Sequence, residues 1–336
     1  MHSWSMHRAM TDVLKDVAVN ILAYIPLGLF GFFMLMDSSP AAAAALTSVL
    51  IGFGLSFFVE VTQCLVPGRN PNGLDLTSNT IGAAAGVALA LLWVRVPHPH
   101  SKRPDSICLI ACWVCAVVFA AIAAWSRPGR PARWRPVDTL QDFAATLAVA
   151  VLVNSLGGSS TRRRLVLAAL VLIVGVRAAV VPRSSTIEGL AGVAVAFGIV
   201  LVAQPRPGIA AVILAVAVTL HGLAPFTFVA TAKPFSWLPF RASLMSDAEG
   251  GLAVLLGKIY LYGALIWLMR ESRFRLVTAT VAVATLLAAI EIAQLRLPGP
   301  TPEITDPLVA LILGWVLWSL REVSAIGKNA PAKFRS

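Results

Sequence analysis

Charge is scarce in this 336-residue chain. Asp, Glu, Lys and Arg together make up 13% of it, about half the share of an average soluble domain. Four cysteines, Cys64, Cys108, Cys112 and Cys115, give no disulfide framework. Cys112 and Cys115 spell CWVC inside an apolar run, where a buried thiol pair is expected rather than a redox or metal site. The five histidines are scattered. His98 and His100 fall in a proline-rich link and read as solvated, and His221 interrupts an apolar run and reads as packed. No metal site is expected from them. The chain also has no Walker loop, dinucleotide fingerprint, HExxH or G-x-S-x-G elbow, so no cofactor is expected. The net charge of +11 does not point to nucleic acid, because the arginines lie in short links without interleaved aromatics. Such links fit the neighbourhood of an anionic leaflet.

What fills the chain is apolar. Hydrophobic residues make up 58% and mean hydropathy is +0.81. The apolar segments are continuous, not alternating, which excludes a barrel and predicts an all-α, polytopic transmembrane helical bundle. About eleven spans are expected, at 14–36, 42–64, 74–95, 106–125, 138–156, 163–181, 186–203, 208–230, 249–269, 274–295 and 305–321. Asp12, Lys15, Asp16 and Asn20 precede or enter the first run, which is therefore expected to stay as an anchor. The links are too short to hold a soluble domain, so any chemistry lies in the bundle or at its surfaces. Clean basic clusters at Lys102/Arg103, Arg162–Arg164, Arg270/Arg273/Arg275 and the tail put their side in the cytoplasm.

One polar phrase occurs twice. Residues 60–75 read EVTQCLVPGRNPNGLD and residues 291–306 read EIAQLRLPGPTPEITD. Glu60, Gln63, Pro67, Gly68 and Asp75 match Glu291, Gln294, Pro298, Gly299 and Asp306 at equal offsets. Carboxylates at span ends are costly, so their repetition implies a task. Internal repeats follow: a first unit of three spans at 1–96, a degenerate middle unit of about four spans at 105–204, a second clear unit of four spans at 206–322, and a cytoplasmic tail at 323–336. In the middle unit Arg177 and Glu188 stand where the Glu/Gln pattern would lie.

Glu60 and Gln63 share a helix face. Pro67 breaks that helix and Gly68 permits a tight turn. Asp75 opens the next span, where it can cap amides and favour the helix dipole, with Asn79 one turn on. The expected hairpin thus gathers Glu60, Gln63, Arg69, Asp75 and Asn79 at its mouth. Asp12, Asp16 and Asn20 form an i, i+4, i+8 stripe entering from the same side. Gly82 and Gly86, spaced G-x-x-x-G, allow close approach of a neighbouring helix. In the second motif Glu291, Gln294 and Asp306 persist, Pro300 replaces Arg69, and Ala310 replaces Asn79. Arg296 is a substitute for the lost charge, Lys258, Tyr260 and Tyr262 add polar tips, and Asp247 and Glu249 lie at that span's entrance.

The run N-I-L-A-Y-I-P-L-G at Asn20–Gly28, then Glu60-x-x-Gln63, Arg69 and Asp75-x-x-x-Asn79 with glycines after it, resembles the VanZ-like family. The resemblance covers about 1–96 and, more faintly, 206–322, where WLPF at 237–240 is also similar. It implies a bacterial membrane protein with an envelope role, and it supplies no catalytic assignments. The loss of the arginine and asparagine from the last motif sets that unit apart from the family pattern.

The residues, taken with the bacterial and envelope setting that the resemblance implies, lead to the expectation of an inner-membrane protein that binds or transforms an amphipathic, lipid-linked envelope compound at a polar cavity near the outer interface. Glu60 and Asp75 are the candidate catalytic pair, Arg69 a partner for an anionic headgroup, and Gln63 and Asn79 orienting amides. Two other classes stay open. Duplicated units could move against each other as a transporter, or the chain could be a non-catalytic assembly protein with a membrane protein partner.

Overall fold

The computed structural model describes residues 2–36, 39–63, 72–95, 104–126, 136–155, 192–193, 195–196, 205–240, 248–299 and 301–329. Nine α-helices run through the described residues: α1 His2–Leu35, α2 Ala41–Gln63, α3 Gly73–Arg95, α4 Pro104–Ser126, α5 Pro136–Ser155, α6 Pro207–Leu223, α7 Ala248–Glu271, α8 Leu276–Gln294 and α9 Thr305–Asn329. The all-helical reading holds. Among the described residues, five stretches are long and apolar enough to cross a membrane: Asp16–Leu35, Ala41–Phe58, Gly73–Val94, Pro136–Ser155 and Leu276–Gln294. Shorter apolar stretches lie at Asp105–Cys115, Pro207–Leu223 and Thr305–Leu320. The spans expected at 163–181 and 186–203, with Arg177 and Glu188, fall outside the described residues, four positions between 192 and 196 excepted.

Proline sets several boundaries. α4, α5 and α6 each begin on a proline, whose missing N–H would be unpartnered at a helix start in any case. Hydropathy carries the sixth helix on to residue 230, but it stops at Leu223. Pro225 forces its predecessor Ala224 out of the helical region, to φ −66°, ψ 140°. Within the helices, the hydroxyls of Ser48, Thr80, Thr146, Thr219 and Thr280 turn back to the carbonyl four residues earlier, as does Ser272 just past α7. A polar side chain on an apolar helix is satisfied there without a partner from another element.

Two compact units divide the chain, Met1–Pro104 with Ser319–Ser336, and Asp105–Trp318. In the first, α1 lies along α3 and α2 packs on both. The G-x-x-x-G pair is what lets α3 approach α1. A Cβ on Gly82 would fall 2.2 Å from the Ile21 carbonyl oxygen, and one on Gly86 would fall 2.1 Å from that of Ile25. Gly28 does the same from α1, against the Ala83 carbonyl oxygen. Backbones in near contact maximise dispersion where lipid gives helices no hydrophobic reason to associate. The outer face of α2, with Leu46, Leu50, Phe53, Phe57 and Phe58, stays exposed, as a lipid-facing surface must.

In the second unit α6 touches α5, α7 and α8. Cys108, Cys112 and Cys115 of α4 are buried free thiols; Cys64 lies outside the described residues. Buried Asp105, in the first turn of α4, accepts from Trp267 Nε1 at 3.0 Å and Arg270 Nη1 at 3.2 Å on α7. Tyr260 donates to the Ala145 carbonyl on α5 at 2.6 Å. His221 is not packed as its apolar run implies. Its side chain is 44% exposed and its Nδ1 lies 3.2 Å from Asp138 Oδ1, because α5 and α6 are neighbours and a histidine near the end of α6 can reach a carboxylate opening α5.

Replacing Gly82 or Gly86 by Ala forces α1 and α3 apart against backbone atoms. We expect a loss of about 1–3 kcal/mol, the usual cost of overpacking, read as a lowered unfolding midpoint in detergent. Gly54→Ala is the control, since among the described residues nothing beyond its own stretch of helix lies within 4 Å of its Cβ position.

Candidate functional site

The first unit builds its polar cluster from three side-chain pairs, each one helical turn apart: Asn20 and Tyr24 on α1, Ser56 and Glu60 on α2, Asp75 and Asn79 on α3. Residues four apart on a helix share a face, so three helices present two polar groups each to a common space. Asn20 Nδ2 donates to Asp75 Oδ1 at 2.8 Å. The backbone N–H of Asn72 donates to Glu60 Oε2 at 2.8 Å. Asn79 Nδ2 donates to Ser56 Oγ at 2.9 Å, and the Tyr24 phenol reaches the same hydroxyl, within electrostatic range of Glu60. Glu60 and Asn79 are 7% and 6% exposed, whereas Asn20 and Asp75 are only half-buried. The cluster is therefore buried at Glu60 and Asn79 and partly exposed at its rim, at Asn20 and Asp75.

Two features make this cluster unusual. Glu60 and Asp75 feel each other electrostatically, and both stand at the amino-terminal end of α3, where the helix dipole favours negative charge. Further, Asn79 Oδ1 is buried without a hydrogen-bond partner among the described residues. An orphaned buried amide oxygen costs about 1–3 kcal/mol, and such a group calls for an explanation.

The predicted residues divide as follows. Glu60, Asp75, Asn79 and Asn20 converge. Asp75 is not the cap of α3: Asn72 Oδ1 accepts from the Leu74 N–H at 3.0 Å, so Asn72 caps the helix and Asp75 is left to meet Asn20. Asp16 is exposed, one turn before Asn20. Asp12 and Gln63 lie in α1 and α2, with their side chains outside the described set, and Arg69, Pro67 and Gly68 lie outside the described residues. The sequence reading missed Ser56, Tyr24 and Asn72. The i, i+4 spacing to Glu60 and Asn20 was the signal for the first two.

The second unit repeats the frame with different groups. The backbone N–H of Glu303 donates to Glu291 Oε2 at 2.9 Å, twelve residues along the chain, as Asn72 is from Glu60. Asp306 opens α9 and takes two donors from α7, Lys258 Nζ at 2.5 Å and Tyr262 OH at 2.6 Å. Lys258 and Tyr262 are again one turn apart. The positions of Ser56 and Asn79 are held by Leu287 and Ala310, both buried. Gln294 Nε2 donates to the Gly222 carbonyl on α6 at 2.9 Å. Arg296 is exposed, and the cation beside Asp306 is Lys258. Asp247, and the side chain of Glu249, lie outside the described set.

Residues 225–240 brace this second hairpin. The N–H groups of Val229, Lys233 and Ser236 donate to the carbonyls of Arg296, Leu295 and Pro302, and Ile304 N–H donates to Ser236 O. Phe226, Phe228, Trp237 and Leu238 remain exposed along the segment. Among the described residues no three His, Cys, Asp or Glu side chains are grouped to hold a metal ion.

A family model described as VanZ/LLP1 matches residues 2–94. This amino-terminal segment is VanZ-like. The match spans α1, α2 and α3, the helices that carry the open cluster, and stops before α4. No curated protein and no solved structure matches the chain. The VanZ-like segment and its apolar helices make this a membrane protein. The identification covers the unit with the orphaned amide and leaves the Lys258–Asp306 unit outside the match.

The second cluster tests how its charge is balanced. Removing one member of a buried ion pair costs about 3–5 kcal/mol. The Lys258 side chain keeps 28% exposure, so for Lys258→Met we expect about 1–3 kcal/mol. Thermal unfolding in detergent reads it, and adding Asp306→Asn should return much of the loss. An unchanged midpoint in the single variant contradicts the pairing.

Proposed function

We propose that the VanZ-like unit holds the headgroup of an amphipathic, lipid-linked envelope compound at the Glu60–Asp75–Asn79 cluster, in a bacterial cytoplasmic membrane and near its outer interface. The observation that carries this reading is the orphaned, buried Asn79 Oδ1 beside two carboxylates. A bundle that used these groups only to fix its own packing would have no reason to leave one polar end unmet. The half-buried rim at Asn20 and Asp75 gives a guest a way in.

In this reading Asp75 and Asn79 take the polar part of the guest, and Glu60, pinned by the Asn72 amide, fixes the turn that presents them. Arg69, which follows α2 in the sequence, supplies a partner for an anionic portion in this reading, with Gln63 as a further amide. If the bound compound is transformed, Glu60 and Asp75 are the acid–base candidates, since two carboxylates in one partly buried site differ in environment. The repeat in the second unit is then a duplicated frame whose cluster has been closed by its own lysine.

Mass spectrometry of small molecules retained by the purified full-length chain tests this. Wild type should carry a discrete amphiphile, and Asn79→Leu and Arg69→Ala should lose most of it while keeping their unfolding midpoints within a few degrees. Equal retention in all three would contradict the proposal.

A further inference from the structure

The two clusters share a frame and differ in one charge. In each, a glutamate near the end of one helix accepts the backbone N–H twelve residues on, and an aspartate three residues later opens the next helix. In each, that aspartate's Oδ1 takes a donor from a helix carrying a tyrosine one turn beyond the donor. In the second unit the donor is the Lys258 ammonium. In the first it is the neutral amide of Asn20. The ammonium of the second cluster is built into the chain, whereas the corresponding place in the first holds a group that brings no charge to Asp75.

The surroundings changed with it. Where Lys258 is present, the positions of Ser56 and Asn79 are the apolar Leu287 and Ala310, and the cluster closes on itself. Where Asn20 is present, Ser56 and Asn79 are polar, Asn79 is 6% exposed, and its Oδ1 has no partner among the described residues. An unmet acceptor beside Asp75 and Glu60 suits a guest rich in donors and positive in charge, and a primary ammonium with three N–H groups is such a guest.

We infer that the first unit recognises the primary ammonium of an amine-bearing lipid headgroup, taking it at Asp75 and Asn79 beside the Asn20 amide and so giving Asp75 the positive partner that Lys258 gives Asp306 in the second unit. This rests on the proposal that the VanZ-like unit binds an amphiphile, and it names the headgroup. A zwitterionic aminophospholipid fits best, its ammonium at Asp75 and Asn79.

The test is lipid binding by the full chain in nanodiscs or detergent, followed by native mass spectrometry. Probes are phosphatidylethanolamine, its N-acetylated form, phosphatidylglycerol of the same acyl chains, and glycerophosphoethanolamine, which keeps the headgroup without the chains. Phosphatidylethanolamine should bind at least about tenfold more tightly than the N-acetylated lipid, the worth of one charge-assisted hydrogen bond. Asn20→Lys should lose that preference by supplying an internal ammonium, and Asp75→Asn should lose it by removing the acceptor. Glycerophosphoethanolamine binding as tightly as the lipid would mark the source as a soluble amine and overturn the lipid assignment. Equal binding of phosphatidylethanolamine, the N-acetylated lipid and phosphatidylglycerol, all lost in Asn79→Leu, would overturn the ammonium assignment and leave amphiphile binding standing. No binding that depends on these residues would overturn both. The wild-type comparison among lipids decides the matter even if a variant fails to fold.

Discussion

The structure depends on a carboxylate that holds a backbone amide across a helix break. Glu60 and Glu291 each end an apolar helix as a buried acid, and each accepts the N–H of a residue twelve positions on. A buried carboxylate is tolerated only when hydrogen-bonded, and a backbone amide ahead of a helix is a donor with no partner inside that helix. Each group answers the other's need. The bond fixes where the next helix begins, and with it where Asp75 or Asp306 stands. Everything said of either cluster follows from that placement.

Around this latch the two units reach opposite solutions. The VanZ-like unit brings α1 and α3 together through glycines, so that Asn20 lies within reach of Asp75. Its remaining polar groups, Ser56 and Asn79, are buried with one acceptor unmet. The second unit meets its aspartate with a lysine and a tyrosine and surrounds it with leucine and alanine. A polar site satisfied from within supports packing. One left partly unsatisfied in a membrane is the basis for proposing a ligand there.

Much of this was legible in the chain. Continuous apolar runs gave the helices because the backbone must satisfy itself in lipid, and prolines gave several of their starts. The equal offsets of Glu, Gln and Asp marked the two hairpins, since a helix, a break and a helix start impose fixed spacing. What stayed hidden was long-range. Tyr24 and Ser56 sit in apolar runs and read as ordinary core until α1, α2 and α3 are brought together. Nothing in the spacing singles out Asn72, and only the structure shows that it, not Asp75, caps α3. The lysine that neutralises Asp306 is 48 residues away, and the pairing of His221 with Asp138 required α5 and α6 to be neighbours.

The most direct test of the central claim is site-resolved amide hydrogen exchange by NMR on the full chain in detergent. The account predicts that the Asn72 and Glu303 amides are protected, that Glu60→Ala exposes Asn72 alone, and that Glu291→Ala exposes Glu303 alone. If both amides exchange at the rate of an open loop in the wild-type protein, the latch does not exist and the clusters built on it lose their foundation.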